Sequence, residues 1–436
     1  MKTVAIIGGG AAGLMAASAI SERASIEVNE VQDAKGVRIL LFEKNTYLGA
    51  KVIISGGGRC NVTTGIFEVR ELLKNYPRGA KFLMSAMFRF PPEKVMEWFE
   101  THGVPLKIEE DLRVFPKSDN GKDVVGALER DLRAKGVEIV CNANVLEVAK
   151  EGERFHITLK NGTTYDVDAL ILTTGGNAYR QTGSTGDGYA FAKALGHTIT
   201  PLAASLSSFI AAEPWCKEVA GVSFEKAALE LTAGVAGQVA QTQRMTSAHH
   251  YTRTGPFLFT HSGVSGPAVF ALSAYSAYEA CSREAPLALT INLFPDESRE
   301  ALAARIDGLI HAHPKKHLMN FLDLLLPKSL CAVYAQLLSM PPELTAAHFS
   351  KEHRVSIMAL LQALPLNIIG RGAGDEFVTA GGVSLSEVNT NTMESKKCPG
   401  LYFAGELLDV DGFTGGFNLQ ASWATGRLAG EHCVGQ

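Results

Sequence analysis

Val4-Ala5-Ile6-Ile7 is a run of apolar residues that stops at Gly8-Gly9-Gly10-Ala11-Ala12-Gly13, after which Leu14, Met15, Ala16 and Ala17 continue with helical character. An unbroken apolar run bounded by glycine predicts a strand buried on both faces, and the switch of period predicts strand, tight turn, helix. Residues 37–42 repeat the strand pattern and end in Glu43. Helical periodicity then dominates 66–135, strongest at 71–76, 93–102 and 124–135. Short strands are predicted at 137–140, 145–148, 154–160 and 164–165, with Asn161-Gly162 as a hairpin turn. Residues 167–174 form another buried-strand pattern ending in Gly175-Gly176, and Asp187 is placed to cap a helix that stops at Gly196-His197. From about residue 201 the character changes. Alternating segments at 207–209, 227–233 and 237–240 predict a β-rich insertion, closed by 257–268, where Ser265 is expected to cap a helix starting at Pro267. Residues 295–344 read as helices broken at Pro314, Pro327 and Pro341-Pro342. Glycine-ended strands return at 377–383 and 400–406, and 409–421 opens an Ala-rich terminal helix.

The chemistry sits where those strands end. Gly8, Gly10 and Gly13 have the spacing of a dinucleotide turn: one for the bend, one for pyrophosphate approach, one for helix–strand packing. Free N–H groups and the positive dipole end of the following helix suit phosphate. Glu43 is placed to accept hydrogen bonds from ribose hydroxyls. It lies 30 residues beyond Gly13, against about 20 in the usual fingerprint, and polar residues 22–36 account for the surplus as a longer helix or exit loop. Gly56-Gly57-Gly58-Arg59-Cys60-Asn61 makes a second close-approach loop, in which Arg59 can offer planar donors to an anion. Cys60 reads as a buried thiol rather than a redox thiol, since no second cysteine lies nearby. Glycine-lined strand ends from distant segments imply one extended ligand, longer than a mononucleotide. A second such motif is missing from the middle of the chain, because 183–188 follows Gln181-Thr182 instead of an apolar strand. No separate NAD(P)H domain is therefore expected.

Composition narrows the partners. The 436 residues carry a net charge of −4, with no segment where basic residues are massed, which disfavours nucleic acid as the main partner. Seven scattered cysteines form no disulfide framework and fit a reducing cytoplasm. An N-terminal resemblance to a signal peptide fails on the three glycines that interrupt it, and no apolar run is long enough to span a membrane. His311, His313 and His317 lack acid or cysteine partners at ligand spacing, so no metal site is expected.

Residues 8–13, 54–63, 379–383 (Thr-Ala-Gly-Gly-Val) and 401–406 (Leu-Tyr-Phe-Ala-Gly-Glu) together resemble the BaiN-type NAD(P)/FAD-dependent oxidoreductases, within the two-dinucleotide-binding flavoproteins. The resemblance runs from end to end. It implies an α/β fold: a discontinuous Rossmann-like FAD-binding domain (1–200 and 366–436), an inserted β-barrel-like domain (201–275 with 350–365) and a helical cap (276–349). It also implies an FAD site. Gly8, Gly10, Ala12 and Gly13 would hold the pyrophosphate, Glu43 and Lys44 the adenosine side, and Val145 the adenine by its backbone. Thr174, Gly175 and Gly176 would line the dinucleotide. Lys51, Gly57, Gly58, Arg59, Cys60 and Asn61 would lie toward the flavin, with Gly405 and Glu406 at the ribityl chain and Gly416, Phe417 and Asn418 at the pyrimidine edge.

The reading is a cytoplasmic FAD-dependent oxidoreductase. It passes a hydride through flavin N5 to or from a small organic substrate, of C=C or amine/carbonyl type, with NAD(P)H as a transient donor. His261 is the candidate proton carrier, and Ser265 with the N–H groups after it the candidate holder of a substrate oxygen. Two alternatives are an RNA-modifying flavoprotein, which needs a basic face on the cap, and a non-catalytic FAD-binding redox sensor.

Overall fold

The computed structural model describes residues 1–30, 36–233, 249–372 and 377–434. It divides into two compact units, Met1–Ser205 with Phe377–Gln436, and Leu206–Glu376.

The first unit is built on a five-stranded parallel sheet. Thr3–Ile7 pairs on one side with Arg38–Phe42, which pairs in turn with Glu138–Val140. On its other side lies Ala169–Leu172, and Leu401–Phe403 forms the far edge. The apolar runs are buried on both faces, as parallel strands under helices must be: Val4, Ala5, Ile6, Leu41, Leu170 and Ile171 are fully inaccessible. The helix Ala11–Glu30 follows the first strand, so the surplus residues before Glu43 lengthen it. The last helix, Phe417–Cys433, lies directly against it. A Cβ on Gly426 would stand 2.3 Å from the Ala12 carbonyl oxygen, and one on Gly430 would stand 2.4 Å from that of Ala16. Two backbones approach this closely only where both faces are made of glycine and alanine.

An antiparallel meander, Val145–Glu151, Arg154–Leu159 and Thr164–Val167, carries the hairpin at Asn161-Gly162. A second small sheet of Thr63–Thr64, Arg113–Pro116 and Leu106–Ile108 interrupts the region read as helical. Its strands are two to four residues long, too short for a period to register. Asp187 is not a cap. The cap position belongs to Gly186, in the left-handed region, and Asp187 is the first helical residue, paired through its carboxylate with Lys44 at 2.8 Å.

The second unit is a closed antiparallel barrel of six strands. Ser223–Ala233 pairs with His249–Thr260 and with Leu287–Asn292, and Leu364–Arg371 meets Phe209–Ala211 to close it. Alternation sets the inside: Leu229, Leu231, Phe257, Phe259, Leu289, Ile291, Leu366 and Ile368 are all buried. Helices Arg299–Ala312, Lys328–Leu338 and Lys351–Gln362 add to the same core through Leu302, Ile306, Tyr334 and Leu361. The expected domain limits shift accordingly. Residues 366–371 belong to the barrel because their strand pairs there, while Ala203–Ser205 pairs with Val378–Ala380 in the first unit. The strand anticipated at 237–240 lies outside the described residues. Among the described residues the second unit holds no parallel sheet.

One buried polar row in the first unit has the outline of a hydrolytic triad. His197 stands 2.8 Å from Ser395 Oγ through Nε2 and 3.1 Å from Glu387 through Nδ1. Its setting is structural, because Ser395 Oγ also accepts the N–H groups of Lys397 and Cys398 and is buried. Burial lowers the imidazole pKa against the pull of Glu387. Burial would raise the Glu387 carboxyl, but the hydrogen bond from Lys397 and the Thr198 N–H outweigh it and hold it at about 2. Both shifts destabilise the fold in acid: the unfolded chain protonates His197 first and Glu387 later, before the folded chain does. Unfolding followed by circular dichroism should show stability falling from about pH 6.5 downward, and Glu387→Gln should flatten the part between about pH 4.5 and 2.

The helix crossing gives a second test. Gly→Ala inside a helix ordinarily gains about 1 kcal/mol, but overpacking against a backbone carbonyl costs about 1–3 kcal/mol. Gly426→Ala should therefore lower the denaturant midpoint. A raised midpoint would mean that the two helices separate freely.

Candidate functional site

The glycines of the first turn divide three tasks by geometry. A Cβ on Gly8 would meet the Thr173 carbonyl oxygen at 2.4 Å, and Gly8 has a φ of +112°. A Cβ on Gly13 would lie 1.9 Å from the Gly8 carbonyl oxygen, so this residue seals helix to strand. Gly10 differs: nothing lies within 4 Å of a Cβ built there. No packing demand requires glycine at Gly10, and its bare backbone opens the start of the helix to a ligand. Ala12, in the first turn of the helix, packs under the last helix.

Glu43 is buried, and its carboxylate accepts the Gly9 N–H at 2.9 Å and the Asn45 N–H at 2.8 Å. It shapes the turn as well as offering lone pairs, since a carboxylate accepts about four hydrogen bonds. Lys44 bonds Thr185 at 2.5 Å and Asp187 at 2.8 Å. Val145 begins the meander, where Ala143 N–H donates to the Glu43 carbonyl. Beyond the strand Ala169–Leu172, Thr174 Oγ1 and Asn177 Oδ1 are buried with no hydrogen-bond partner among the described residues. Buried polar atoms are rarely left so. Gly175 takes a positive φ, and Gly176 packs against Thr379 and Glu406. Lys51 Nζ meets Glu406 Oε2 at 2.7 Å, and the other oxygen accepts the Thr379 N–H at 2.9 Å. Gly405, beside it, donates to Thr425 Oγ1.

The loop after the helix Ala50–Ile54 is exposed at Gly56, Gly57 and Gly58, all with positive φ, and a Cβ on Gly57 or Gly58 would meet nothing. Cys60, next in line, is buried, and burial pushes its thiol up to about 12, so it is held as an unreactive thiol. Arg59 is not a free anion receptor. Its guanidinium bonds Glu109 and Asp119 and lies over the Phe115 ring at 3.8 Å. Asn61 accepts the Val114 N–H.

At the other end, Gly416 caps Phe417–Cys433 in the left-handed conformation, and no side chain caps the first N–H groups of that helix. A Cβ on Gly416 would sit 2.3 Å from the Thr63 carbonyl oxygen, so the helix start is set against the short sheet. The Asn418 side chain is spent on Gly412, accepting its N–H and donating to its carbonyl, each at 2.8 Å. The preceding loop is clamped from residues 75–79. Phe413 N–H donates to the Asn75 carbonyl, Tyr76 donates its hydroxyl to the Phe417 carbonyl at 2.7 Å, and Arg78 holds Asp411 bidentately. Asp411 is fully buried and also accepts the Ser205 hydroxyl at 2.6 Å. Burial raises its carboxyl pKa against the pull of Arg78. Arg78 and Asp411 escaped sequence reasoning because they lie 333 residues apart.

These groups fit a dinucleotide. The start of Phe417–Cys433 without a side-chain cap, an exposed glycine loop, the open face of Gly10 and the unpaired Thr174 and Asn177 atoms occur in one unit, and FAD has the length and polarity to use them. Among the described residues no His/Cys/Asp/Glu group could hold a metal.

The two catalytic candidates lie in the second unit. His261 is exposed at the turn between His249–Thr260 and Gly263–Ser265, and no hydrogen bond holds its ring among the described residues. Ser265 does not cap a helix. It is a strand residue opposite Leu258, and Gly266 occupies the cap before Pro267. The extended backbone pairing of Ser265 places it one residue too early.

Comparisons with known proteins agree with this architecture. The family model described as HI0933-like protein Rossmann domain matches residues 2–432. The chain is 31% identical over 421 residues to the ribosomal RNA dihydrouridine synthase of Escherichia coli, covering 96% of this chain and 95% of that one. It is 30% identical over 435 residues to the 3-dehydro-bile acid delta(4,6)-reductase of Clostridium scindens, covering 99% and 98%. In fold it resembles the 3-ketosteroid-delta4-(5alpha)-dehydrogenase of Rhodococcus jostii, with a TM-score of 0.50 at 15% identity over 100% of this chain and 97% of that one. No described helix is long and apolar enough to cross a membrane.

The glycines separate binding from folding. Gly10→Ala should leave the melting temperature unchanged and weaken FAD binding at least about tenfold, because the added methyl contacts only what approaches from outside; Gly13→Ala should unfold the turn itself. Titration of the apoprotein with FAD, beside its thermal melt, reads both. Glu43→Gln, which keeps one acceptor, should cost roughly 1.5–3 kcal/mol of FAD affinity.

Proposed function

The chain belongs to the HI0933-like family and is an FAD-dependent oxidoreductase, and from that premise we propose that it adds hydrogen across a C=C bond conjugated to a carbonyl. What carries this reading is the chemistry shared by two full-length relatives. Dihydrouridine is uridine with its ring double bond saturated beside a carbonyl, and a delta(4,6)-reductase of a 3-dehydro bile acid acts on double bonds in line with a ketone. Bound FAD would supply hydride at N5, chemistry that no side chain provides.

The protein's own part is holding, orienting and proton supply. The start of Ala11–Glu30 with open Gly10 would hold phosphate, and Glu43 would hold ribose. The clamped loop and the N-terminal turn of Phe417–Cys433 would present backbone N–H groups and a positive dipole end toward an electron-rich ring. Reduction of an enone also needs a proton at the carbon next to the carbonyl, and His261 is the side chain proposed to bring it. NAD(P)H would act as a transient donor. The redox-sensor alternative predicts flavin reduction without turnover.

A second reading places the double bond in a uracil ring carried by RNA. It is favoured by the substrate in the name of one full-length relative, the ribosomal RNA dihydrouridine synthase of Escherichia coli.

Anaerobic mixing with NADH or NADPH should bleach the flavin, and adding a cyclic enone should restore its colour. His261→Ala should keep FAD and thermal stability while losing about 10²–10⁴-fold in turnover. Normal turnover would move the proton source to another residue. Reduction with no reoxidation by any enone, free or in RNA, would overturn the C=C assignment.

A further inference from the structure

Thr174 Oγ1 and Asn177 Oδ1 are buried, and neither side chain makes a hydrogen bond among the described residues. Other atoms of the first unit share that label but belong to groups engaged in other ways. His197 Nδ1 stands 3.1 Å from Glu387, Asp409 accepts the Thr200 hydroxyl at 3.0 Å through its second oxygen, and Tyr189 has a contact of its own. Hiding an amide oxygen without a donor is costly, so its partner is a group that the chain does not itself supply. Both atoms face glycines of the turn 183–188. A Cβ on Gly188 would stand 1.9 Å from Thr174 Oγ1, and one on Gly186 would stand 3.5 Å from Asn177 Oδ1.

The Asn177 side chain is unpaired while its backbone is fixed. Its N–H donates to Thr379 Oγ1 at 2.7 Å, the Thr379 N–H donates to Glu406 Oε1 at 2.9 Å, and Lys51 Nζ holds Glu406 Oε2 at 2.7 Å. Thr379 is itself buried. An amide without a partner, carried on a backbone tied down from behind, is already ordered before any ligand arrives, and less entropy is lost when one does.

The order of the parallel strands says which part of the cofactor reaches it. From one edge the sheet runs Leu401–Phe403, Ala169–Leu172, Thr3–Ile7, Arg38–Phe42, Glu138–Val140. Glu43 follows Arg38–Phe42, and the Gly8–Gly13 turn follows Thr3–Ile7. With ribose at Glu43 and phosphate at Gly10, a dinucleotide extended in the same direction next crosses the end of Ala169–Leu172, where 173–177 begin. It then meets the end of Leu401–Phe403 at Glu406. Asn177, tied through Thr379 to Glu406, lies beyond the phosphates on that path.

We infer that Asn177 holds the riboflavin half of FAD at its ribityl hydroxyls, with Thr174 on the phosphate side, and that Thr379 is the residue that positions Asn177. An amide is both donor and acceptor, and so is each hydroxyl of a ribityl chain, so the two match without any charge. The inference rests on the placement of ribose at Glu43 and is independent of which substrate the flavin reduces.

The test titrates the full-length apoprotein with FAD and, separately, with ADP, which carries the adenosine and two phosphates but neither ribityl chain nor ring. Asn177→Ala should weaken FAD about tenfold and leave ADP unchanged. The melting temperature of the apoprotein should also stay the same, because the lost side chain gives up no hydrogen bond. Thr379→Val should weaken FAD about threefold alone and not at all on top of Asn177→Ala, since a residue acting through another adds nothing once that other is gone. Glu43→Gln should weaken both ligands. Unchanged FAD affinity in Asn177→Ala, equal loss of FAD and ADP, or a lower apoprotein melting temperature would each overturn the role of Asn177. Losses that multiply in the double variant would remove Thr379 from its positioning role. If Glu43→Gln leaves ADP binding untouched, the ribose placement falls and the direction of the cofactor with it. If Glu43→Gln weakens ADP while Asn177→Ala spares FAD, the placement stands and Asn177 alone is wrong.

Discussion

Everything in the first unit depends on how closely its first and last helices approach. Gly426 and Gly430 let the backbone of Phe417–Cys433 rest on the carbonyls of Ala12 and Ala16. At that separation the last helix can start beside the short sheet at Thr63, while Leu401–Phe403 reaches the edge of the parallel sheet. The strand ends and both helix starts then belong to a single body. A side chain at either glycine would force the helices apart, and the groups that suit a dinucleotide would lose their common frame.

Around that crossing, charge is used to position backbone more than to face solvent. Glu43 takes the N–H groups of Gly9 and Asn45, Glu406 takes that of Thr379, and Asp411 sits buried between Arg78 and Ser205. Such carboxylates are costly to bury alone and persist because each is satisfied by donors. The cations Arg59 and Lys51 are likewise committed to carboxylates. What remains open to a ligand is largely main chain: Gly10, Gly57, Gly58 and the first turn after Gly416. This suits a cofactor whose charge lies mostly on phosphates.

The glycine turns, the buried strands and the barrel's alternation were legible in the sequence because each is local, with a period or a motif inside a dozen residues. The cap assignments at Asp187 and Ser265 failed for a local reason too. Both helices start from a glycine with positive φ, at Gly186 and Gly266, and the neighbouring polar residue only imitates a cap. Arg59 showed its residue type but not its partners, since Glu109 and Asp119 come from 50 and 60 residues away. Long-range pairings such as Arg78 with Asp411, and the closure of the barrel through Phe209–Ala211 and Leu364–Arg371, leave no mark on any single stretch.

The division of the chain has a consequence for its synthesis. The second unit is one continuous segment, Leu206–Glu376, whose barrel can close as soon as it leaves the ribosome. The first unit cannot. Its sheet lacks an edge until Leu401–Phe403 emerges, and its first helix stays uncovered until Phe417–Cys433 does. The Gly8–Gly13 turn is braced early by Glu43 and Thr173, but the helix it opens waits for nearly the whole chain before Gly426 and Gly430 pack on Ala12 and Ala16. A product that lost its last helix would therefore leave the Ala-rich face of the first helix, Ala12 and Ala16, without the partner that covers it.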